Sequence, residues 1–438
     1  MITAQDANRM AREISAVGSA ARLEETLWVN LDAAPFESVR AGLRFSADDI
    51  RDAAERLARF APFLRAAFPE TADAGGAVAS PLAAIGGMKA LLDGQGAIPG
   101  RLLLKMDSHL PIAGSVKARG GVYEVLKHAE ELALAHGMLK PSEDYGKLAS
   151  PELRQFFSRF TVQVGSTGNL GMSIGITSRA LGFRAVVHMS ADARQWKKDL
   201  LRQRGATVIE YSADYSDAVA RGRAASLADP MSYFVDDEQS SSLFLGYATA
   251  ASELRRQLQS MGIAVDREHP LFAYLPCGIG GAPGGIAFGL KHAFGDDAHC
   301  FFVEPTHACC FLLGMATGLH DGVSVQDFGI DGVTNADGLA VSRPSALVGR
   351  LVRPLISGCM TVSDSRMEQW MKLLYRSEGI FIEPSACASF GAWRHCEALL
   401  RYAAEKGIQD AMPHATHVAW ATGGSLAPEA VQARYLNG

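Results

Sequence analysis

The sequence predicts an α/β protein with open, mostly parallel sheets flanked by helices. From residue 161 onward, short runs rich in β-branched and aromatic residues alternate with helical stretches. Glycine-bearing turns follow several of these runs and open the next helix. Strands that alternate with helices at this spacing imply right-handed crossovers, which leave the strands parallel.

The predicted elements follow a regular order. The first hundred residues are predicted to be mostly helical, without obvious chemistry. Further on, a small-residue helix ends at Leu181 with Gly182 as its cap, and a charged amphipathic helix spans 193–204. The predicted strands are 161–164, 184–189, 207–211, 232–235, 271–275, 299–303, 379–383 and 416–420.

Composition narrows the class of protein. The chain has 438 residues, 48% of them hydrophobic and 20% charged, and a net charge of −5, which is typical of a soluble globular protein with a large core. Without a basic cluster, nucleic acid and anionic membranes are unlikely partners. The N-terminus lacks a signal-peptide pattern, no apolar stretch is long enough to span a membrane, and the seven cysteines form no CxxC pair. We therefore expect a cytoplasmic enzyme.

Three turns have the pattern of anion-binding sites: 114–121, 165–169 and 278–285. Each places backbone N–H groups at the start of a helix, where the helix dipole favours phosphate or carboxylate. Any one of them could equally be a purely structural turn. The third departs from the dinucleotide fingerprint by its Pro283, and no Gly-Lys-Ser/Thr sequence is present to form a phosphate-binding P-loop.

Lys117 lies in the first of these turns. The positive end of the helix dipole, with Arg119 nearby, favours the neutral amine there. A neutral amine beside anion-binding turns suits a Schiff base with an aldehyde cofactor that carries a phosphate. The alternative is a solvated lysine at a helix N-terminus.

The segment KMDSHLPIAGSVKAR (105–119) resembles the lysine segment of the fold-type II pyridoxal-phosphate enzymes, K-x-E-x-x-x-P-T-G-S-F-K-x-R. Asp107 stands where glutamate is usual, and Ile112-Ala113 where Pro-Thr is usual. Within that family, nearly the whole chain is similar to the bacterial D-serine dehydratases. The segments that carry this likeness are MDSHLP (106–111), KARGGVYE (117–124), VGSTGNLG (164–171), YFVDDE (233–238), FVEPTH (302–307) and IDGVTNADGLA (330–340).

The resemblance implies a cofactor, pyridoxal 5′-phosphate, bound to Lys117, and a role for each loop around it. The cofactor phosphate would bind Gly278, Gly280 and Gly281, the ring O3′ would meet Asn169, and the pyridine nitrogen would meet Thr422. The substrate carboxylate would bind the turn Ser166, Thr167 and Gly168. In the absence of such a ligand, Thr422 would simply cap a turn.

Three further residues are assigned with alternatives left open. Thr167 matches the position of a serine acid/base in racemases of this fold, so it is a candidate second proton carrier, or only a carboxylate ligand. Asp236, with Asp237, would tune Lys117 or orient the serine hydroxyl, unless both are solvated edge residues. By resemblance, the region of Glu304 can hold a monovalent cation (potassium or sodium), although a strand-end glutamate is usually just solvated.

The resemblance implies two domains with the cofactor between them: residues 1–125 and 241–438 form the large domain, and 126–240 a small insert. The expected reaction is the α,β-elimination of D-serine to pyruvate and ammonia by a monomer or small homo-oligomer. Alternatives on the same fold are L-serine or L-threonine dehydratase, racemase and β-replacement. An alternative of another class is a non-catalytic α/β protein that binds a phosphate-bearing ligand.

Overall fold

The computed structural model describes residues 2–166, 168–191, 193–212 and 215–437, with only the backbone of 215–218. Its strands are β1 Leu27–Val29, β2 Leu82–Ala84, β3 Arg101–Lys105, β4 Thr161–Gly165, β5 Arg184–Ser190, β6 Thr207–Tyr211, β7 Ser232–Val235, β8 Leu271–Pro276, β9 Ala298–Pro305, β10 Gly358–Val362 and β11 Thr416–Trp420.

Twenty α-helices surround these strands in the described chain. They are α1 Ala4–Glu13, α2 Ser15–Ala21, α3 Phe36–Val39, α4 Ala47–Arg59, α5 Ala61–Ala67, α6 Gly86–Asp93, α7 Lys117–Ala135, α8 Pro151–Phe157, α9 Asn169–Leu181, α10 Gln195–Gln203, α11 Tyr215–Leu227, α12 Ser241–Ala248, α13 Ala250–Ser260, α14 Gly281–Phe294, α15 Cys310–Thr317, α16 Ala346–Val352, α17 Asp364–Glu378, α18 Pro384–Cys387, α19 Cys396–Glu405 and α20 Glu429–Asn437. None of the described helices is both long and apolar enough to cross a membrane.

The strands form two sheets. The larger has the order β1-β10-β9-β8-β11-β3-β2, in which only the short edge strands β1 and β2 run antiparallel to their neighbours. The smaller, β6-β5-β4-β7, is parallel throughout. The predicted α/β class with mostly parallel sheets is thus confirmed. The smaller sheet lies inside the predicted insert, but the domain boundaries stay a prediction.

Alternate residues of the central strands bury opposite faces of the larger sheet. On β8, Leu271 and Ala273 join one apolar cluster, whereas Phe272 and Tyr274 join the other. The first cluster continues into the smaller sheet through residues such as Val164. Parallel sheets are normally buried on both faces. The packing of the two faces also fixes the position at which the carboxyl ends of the strands open.

One predicted strand is wrong. Residues 379–383 form no strand and join neither sheet. Gly379 ends α17 with a φ of 70°, and Pro384 opens α18, so the run is a connection between two helices. The run ends in extended backbone at Glu383, which is the normal state of a residue before proline. It brings Glu383 to the end of β11, where its N–H donates to the Gly423 carbonyl.

Candidate active site

The carboxyl ends of both sheets open into one cavity of about 460 Å³. β4 and β8 lead directly into two of the predicted anion-binding turns, while Thr422 follows β11 and Lys117 begins α7. Eight of the predicted site residues line this cavity: Lys117, Ser166, Gly168, Asn169, Gly278, Gly280, Gly281 and Thr422. Thr167 lies outside the described residues.

Lys117 is held by its turn against the end of β11. The Val116 N–H donates to the Thr422 carbonyl at 2.8 Å, and Ser115 forms an isolated bridge with Gly423. Gly114 has a φ of 55°, and a β-carbon there would lie 2.5 Å from the side chain of Leu426. The turn therefore requires glycine, and it sets Lys117 beside Thr422.

The acidic neighbour of Lys117 is Asp237. The Lys117 Nζ lies 3.2 Å from Asp237 Oδ2 and 5.9 Å from the centre of the Tyr247 ring. Asp237 Oδ1 is buried and has no hydrogen-bond partner within the described part of the chain. An unpartnered carboxylate oxygen beside an amine leaves an acceptor for another donor at this end of the cavity.

Asp236 points elsewhere. Its Oδ2 accepts from Arg223 at 2.9 Å, and its Oδ1 accepts from the backbone N–H of Glu238. Asp236 is not among the residues that line the cavity. Its predicted catalytic role stays a prediction that these contacts do not support.

The glycine loop fits a phosphate. Gly280 has a φ of 107°, and a β-carbon there would lie 2.4 Å from the Phe311 ring. Gly281 then begins α14, a helix of 14 residues whose first N–H groups have no partner inside the helix. Left-handed backbone and close packing both require glycine, and the result is an anion-binding helix start that faces the cavity.

Asn169 and Glu383 meet across the cavity. The Asn169 Nδ2 donates to Glu383 Oε1 at 2.9 Å. Burial raises the pKa of Glu383, although Lys197 opposes this. Glu383 was absent from the predicted site. Its one sequence signal is a carboxylate directly before a proline at the end of an apolar run.

Lys197 and Asp337 also line the cavity and were not predicted. The Lys197 Nζ lies 3.1 Å from Asp337 Oδ2, and Arg194 Nε approaches the same oxygen at 3.8 Å. Burial lowers the pKa of Lys197, but Asp337 and Glu383 outweigh it, so that the pKa is raised and the amine is charged. No motif in the sequence marks Lys197, whereas Asp337 lies in the segment 330–340 that carries the family likeness, without an assigned role.

Glu304 is enclosed away from the cavity lining. It is fully buried and accepts the backbone N–H groups of Phe311 and Leu312, at 2.7 and 2.8 Å, at the start of α15. Burial raises its pKa to about 8, although these hydrogen bonds act in the other direction. The described residues contain no group of three or more His, Cys, Asp or Glu that could hold a metal ion. A cation at Glu304 stays a prediction.

A buried ionic network supports the lysine turn from below. Arg119 binds both oxygens of Asp107, at 2.6 and 2.7 Å, and also Glu253 at 2.8 Å. Lys105 pairs with the other oxygen of Glu253. Asp107 and Glu253 therefore offset the positive charge of Arg119. The sequence-based reason for expecting Arg119 to favour a neutral Lys117 amine no longer applies.

The comparisons with known proteins agree with this geometry. Residues 85–406 match the family model described as pyridoxal-phosphate dependent enzyme. The chain belongs to this family. The expected cofactor and enzyme class are thereby confirmed, against the alternative of a non-catalytic phosphate-binding protein.

Relatives with high identity span nearly the whole chain. A "probable D-serine dehydratase" of Chromobacterium violaceum is 57% identical over 418 residues, covering 94% of this chain and 93% of the relative. A protein of the same description from Bacillus mycoides is 54% identical over 415 residues, covering 94% and 93%. The predicted resemblance to the bacterial D-serine dehydratases is confirmed.

Solved structures share the fold at low identity. Diaminopropionate ammonia lyase from Escherichia coli, solved in complex with D-serine, has a TM-score of 0.69 at 19% identity and covers 94% of this chain and 97% of that chain. Threonine deaminase isoform 2 from Solanum lycopersicum has a TM-score of 0.62 at 19% identity, covering 94% and 96%. Both confirm the predicted fold-type II architecture.

Proposed function

We propose that this chain is a D-serine dehydratase that converts D-serine to pyruvate and ammonia. The observation that carries the proposal is the identity of 52–57% to proteins described as probable D-serine dehydratases, over more than nine-tenths of the chain. The lysine, glycine loop and asparagine turn that such an enzyme needs line one cavity.

Pyridoxal phosphate, when bound, supplies an aldehyde for Lys117 and a ring that stabilises negative charge at the substrate Cα. The N–H groups at the start of α14 would hold its phosphate. Asn169 would contact the ring O3′, and the Thr422 hydroxyl would contact the pyridine nitrogen. A neutral partner at that nitrogen suits elimination, which needs only a brief carbanion.

The remaining residues bind the substrate and move protons. The turn with Ser166 and Gly168 donates the Ser166 hydroxyl to the substrate carboxylate. The Lys117 amine would exchange a proton at the substrate Cα, and Asp237 holds that amine in place. Loss of hydroxide from Cβ and the uptake of water by the released enamine balance the reaction to pyruvate and ammonia. Thr167 remains the candidate carrier on the opposite face.

Pyruvate formation from D-serine and L-serine, measured side by side with added pyridoxal phosphate, tests the proposal. We expect a strong preference for D-serine. Preference for L-serine would replace it with an L-serine dehydratase, and no pyruvate from either, with the visible band of the bound cofactor present, would indicate a racemase or β-replacement enzyme. A cytoplasmic location, the small oligomer and the cation stay predictions.

A further inference from the structure

Lys197 is a charged amine buried in the wall of the cavity. Its side chain is only 3% exposed, and it projects from α10, beside the smaller sheet. It lines the same cavity as Lys117, Asn169 and Thr422. Burial of an ammonium group is costly unless anionic partners compensate it, so its position calls for an explanation.

The amine lies over the turn assigned to the substrate carboxylate. A β-carbon built on Gly168 would lie 3.1 Å from Lys197 Nζ. The Gly168 N–H donates to Ser166 Oγ at 3.2 Å, which gives this turn its shape. An anion held by the turn therefore comes within reach of the Lys197 ammonium.

The present partner of Lys197 can be released at low cost. Asp337 has a side chain that is 33% exposed, and Arg194 approaches the same carboxylate oxygen as Lys197. Asp337 thus keeps both solvent and a second cation when Lys197 turns towards another anion. Glu383, the other carboxylate that acts on Lys197, already accepts a hydrogen bond from the Asn169 side chain at 2.9 Å.

We infer that Lys197 binds the free α-carboxylate of the amino-acid substrate and makes the enzyme select for it. The inference rests on the proposed function for its substrate. It predicts that amino acids with a charged carboxylate are preferred over their esters and amides, and that Lys197 supplies most of this preference.

Ammonia release from D-serine and from D-serine methyl ester tests the inference. In Lys197→Met, we expect KM for D-serine to rise about 10- to 100-fold, the range set by one charge-assisted hydrogen bond, while kcat changes less and the ester is hardly affected. Lys197→Arg should restore part of the preference. Equal losses for both substrates, or an unchanged preference, would overturn the inference.

The neighbouring lysine offers a matched control. Lys198 has a side chain that is 2% exposed and is paired with Glu210, but it does not line the cavity. Lys198→Met removes an equally buried ammonium and should leave the preference for D-serine over its ester unchanged. If Lys197→Met does not take up the cofactor, Lys197→Gln carries the same comparison.

A binding measurement separates this inference from the proposed function. D-alanine has no leaving group, so its binding can be followed through the visible band of the bound cofactor without turnover. The wild type should bind D-alanine more tightly than D-alaninamide, and Lys197→Met should lose most of that difference. If the wild type makes no pyruvate from D-serine, the same titration with the alanine enantiomer that binds still decides the role of Lys197.

Discussion

Lys117 owes its position to backbone contacts with the end of β11, so its replacement should remove chemistry without disturbing the fold. We expect Lys117→Ala to lower turnover about 10³-fold or more, because the variant loses both the covalent attachment and the proton carrier. The visible band of the lysine-bound cofactor should also disappear. Lys127→Ala, on the same helix and paired with Glu131, is the control and should keep both. Normal turnover in Lys117→Ala would remove the lysine from the mechanism.

Two adjacent carboxylates at the end of β7 have different surroundings, which gives a direct test of their roles. Asp237 is paired with Lys117, whereas Asp236 is paired with Arg223. Asp237→Asn should lower kcat about 10- to 100-fold while cofactor uptake persists, because the side chain keeps its shape but loses the charge that orients the amine. Asp236→Asn should have a smaller effect. The opposite order in steady-state kinetics would favour the carboxylate predicted from sequence.

The site residues that the sequence predicts lie in local turns, whereas the missed pair is formed by residues far apart in the sequence. Lys117, Asn169 and the glycines lie in local turns whose spacing carries a recognisable pattern. Lys197 and Asp337 are separated by 140 positions and meet only through the packing of distant elements. Local patterns report local geometry, so a charge pair assembled across the cavity leaves no comparable trace in the sequence.

At the scale of elements, the ionic network joins β3, α7 and α13 beneath the lysine turn. Burial acts to raise the pKa of Glu253, but Arg119 and Lys105 lower it to about 2. Glu253→Gln would leave both cations without this anion, and we expect it to cost about 3–5 kcal/mol at neutral pH in urea unfolding. Glu55→Gln, which breaks an exposed pair with Arg51, should change little.

The pH dependence of the unfolding free energy of Glu253→Gln tests whether the charge of Glu253 causes this stabilisation. A carboxylate whose pKa falls from 4.5 to about 2 on folding contributes stability above pH 4.5, and this is lost as the pH drops towards 2. Wild type should therefore lose more stability than Glu253→Gln over that interval. Parallel pH curves for the two proteins would show that Glu253 does not stabilise the fold through its charge.

Seven of the eight predicted strands form, whereas 379–383 does not, and β1, β2, β3 and β10 were missed. β3 (Arg101–Lys105) is three leucines between basic residues, which has no strand-specific pattern, and the edge strands β1 and β2 have three residues each. These strands form because neighbours complete their hydrogen bonding. Their absence from the prediction reflects tertiary contacts that outweigh local preference.

At the scale of the whole molecule, three buried histidines and the half-buried His128 make the fold sensitive to mild acid. Burial is the main cause that lowers the pKa of His128, His395 and His417 to about 4 and that of His299 to about 3. The unfolded chain takes up these protons near pH 6.5, before the folded chain does. The contribution of these histidines to the free energy of unfolding is therefore fully present above pH 6.5. It falls as the pH drops towards 4, by up to about 3 kcal/mol for each histidine.

The contribution of His417 to this acid sensitivity can be tested separately. Its Nε2 lies 2.9 Å from the Pro99 carbonyl, which can only accept, so Nε2 donates and Nδ1 accepts from the Tyr274 hydroxyl at 2.7 Å. His417→Gln keeps one donor and one acceptor but cannot titrate. We expect its urea midpoint to fall less than that of wild type between about pH 7 and pH 5, whereas the exposed control His414→Gln should follow wild type. If His417→Gln retains the full acid sensitivity, the loss of stability arises from other groups, such as His128, His299 and His395.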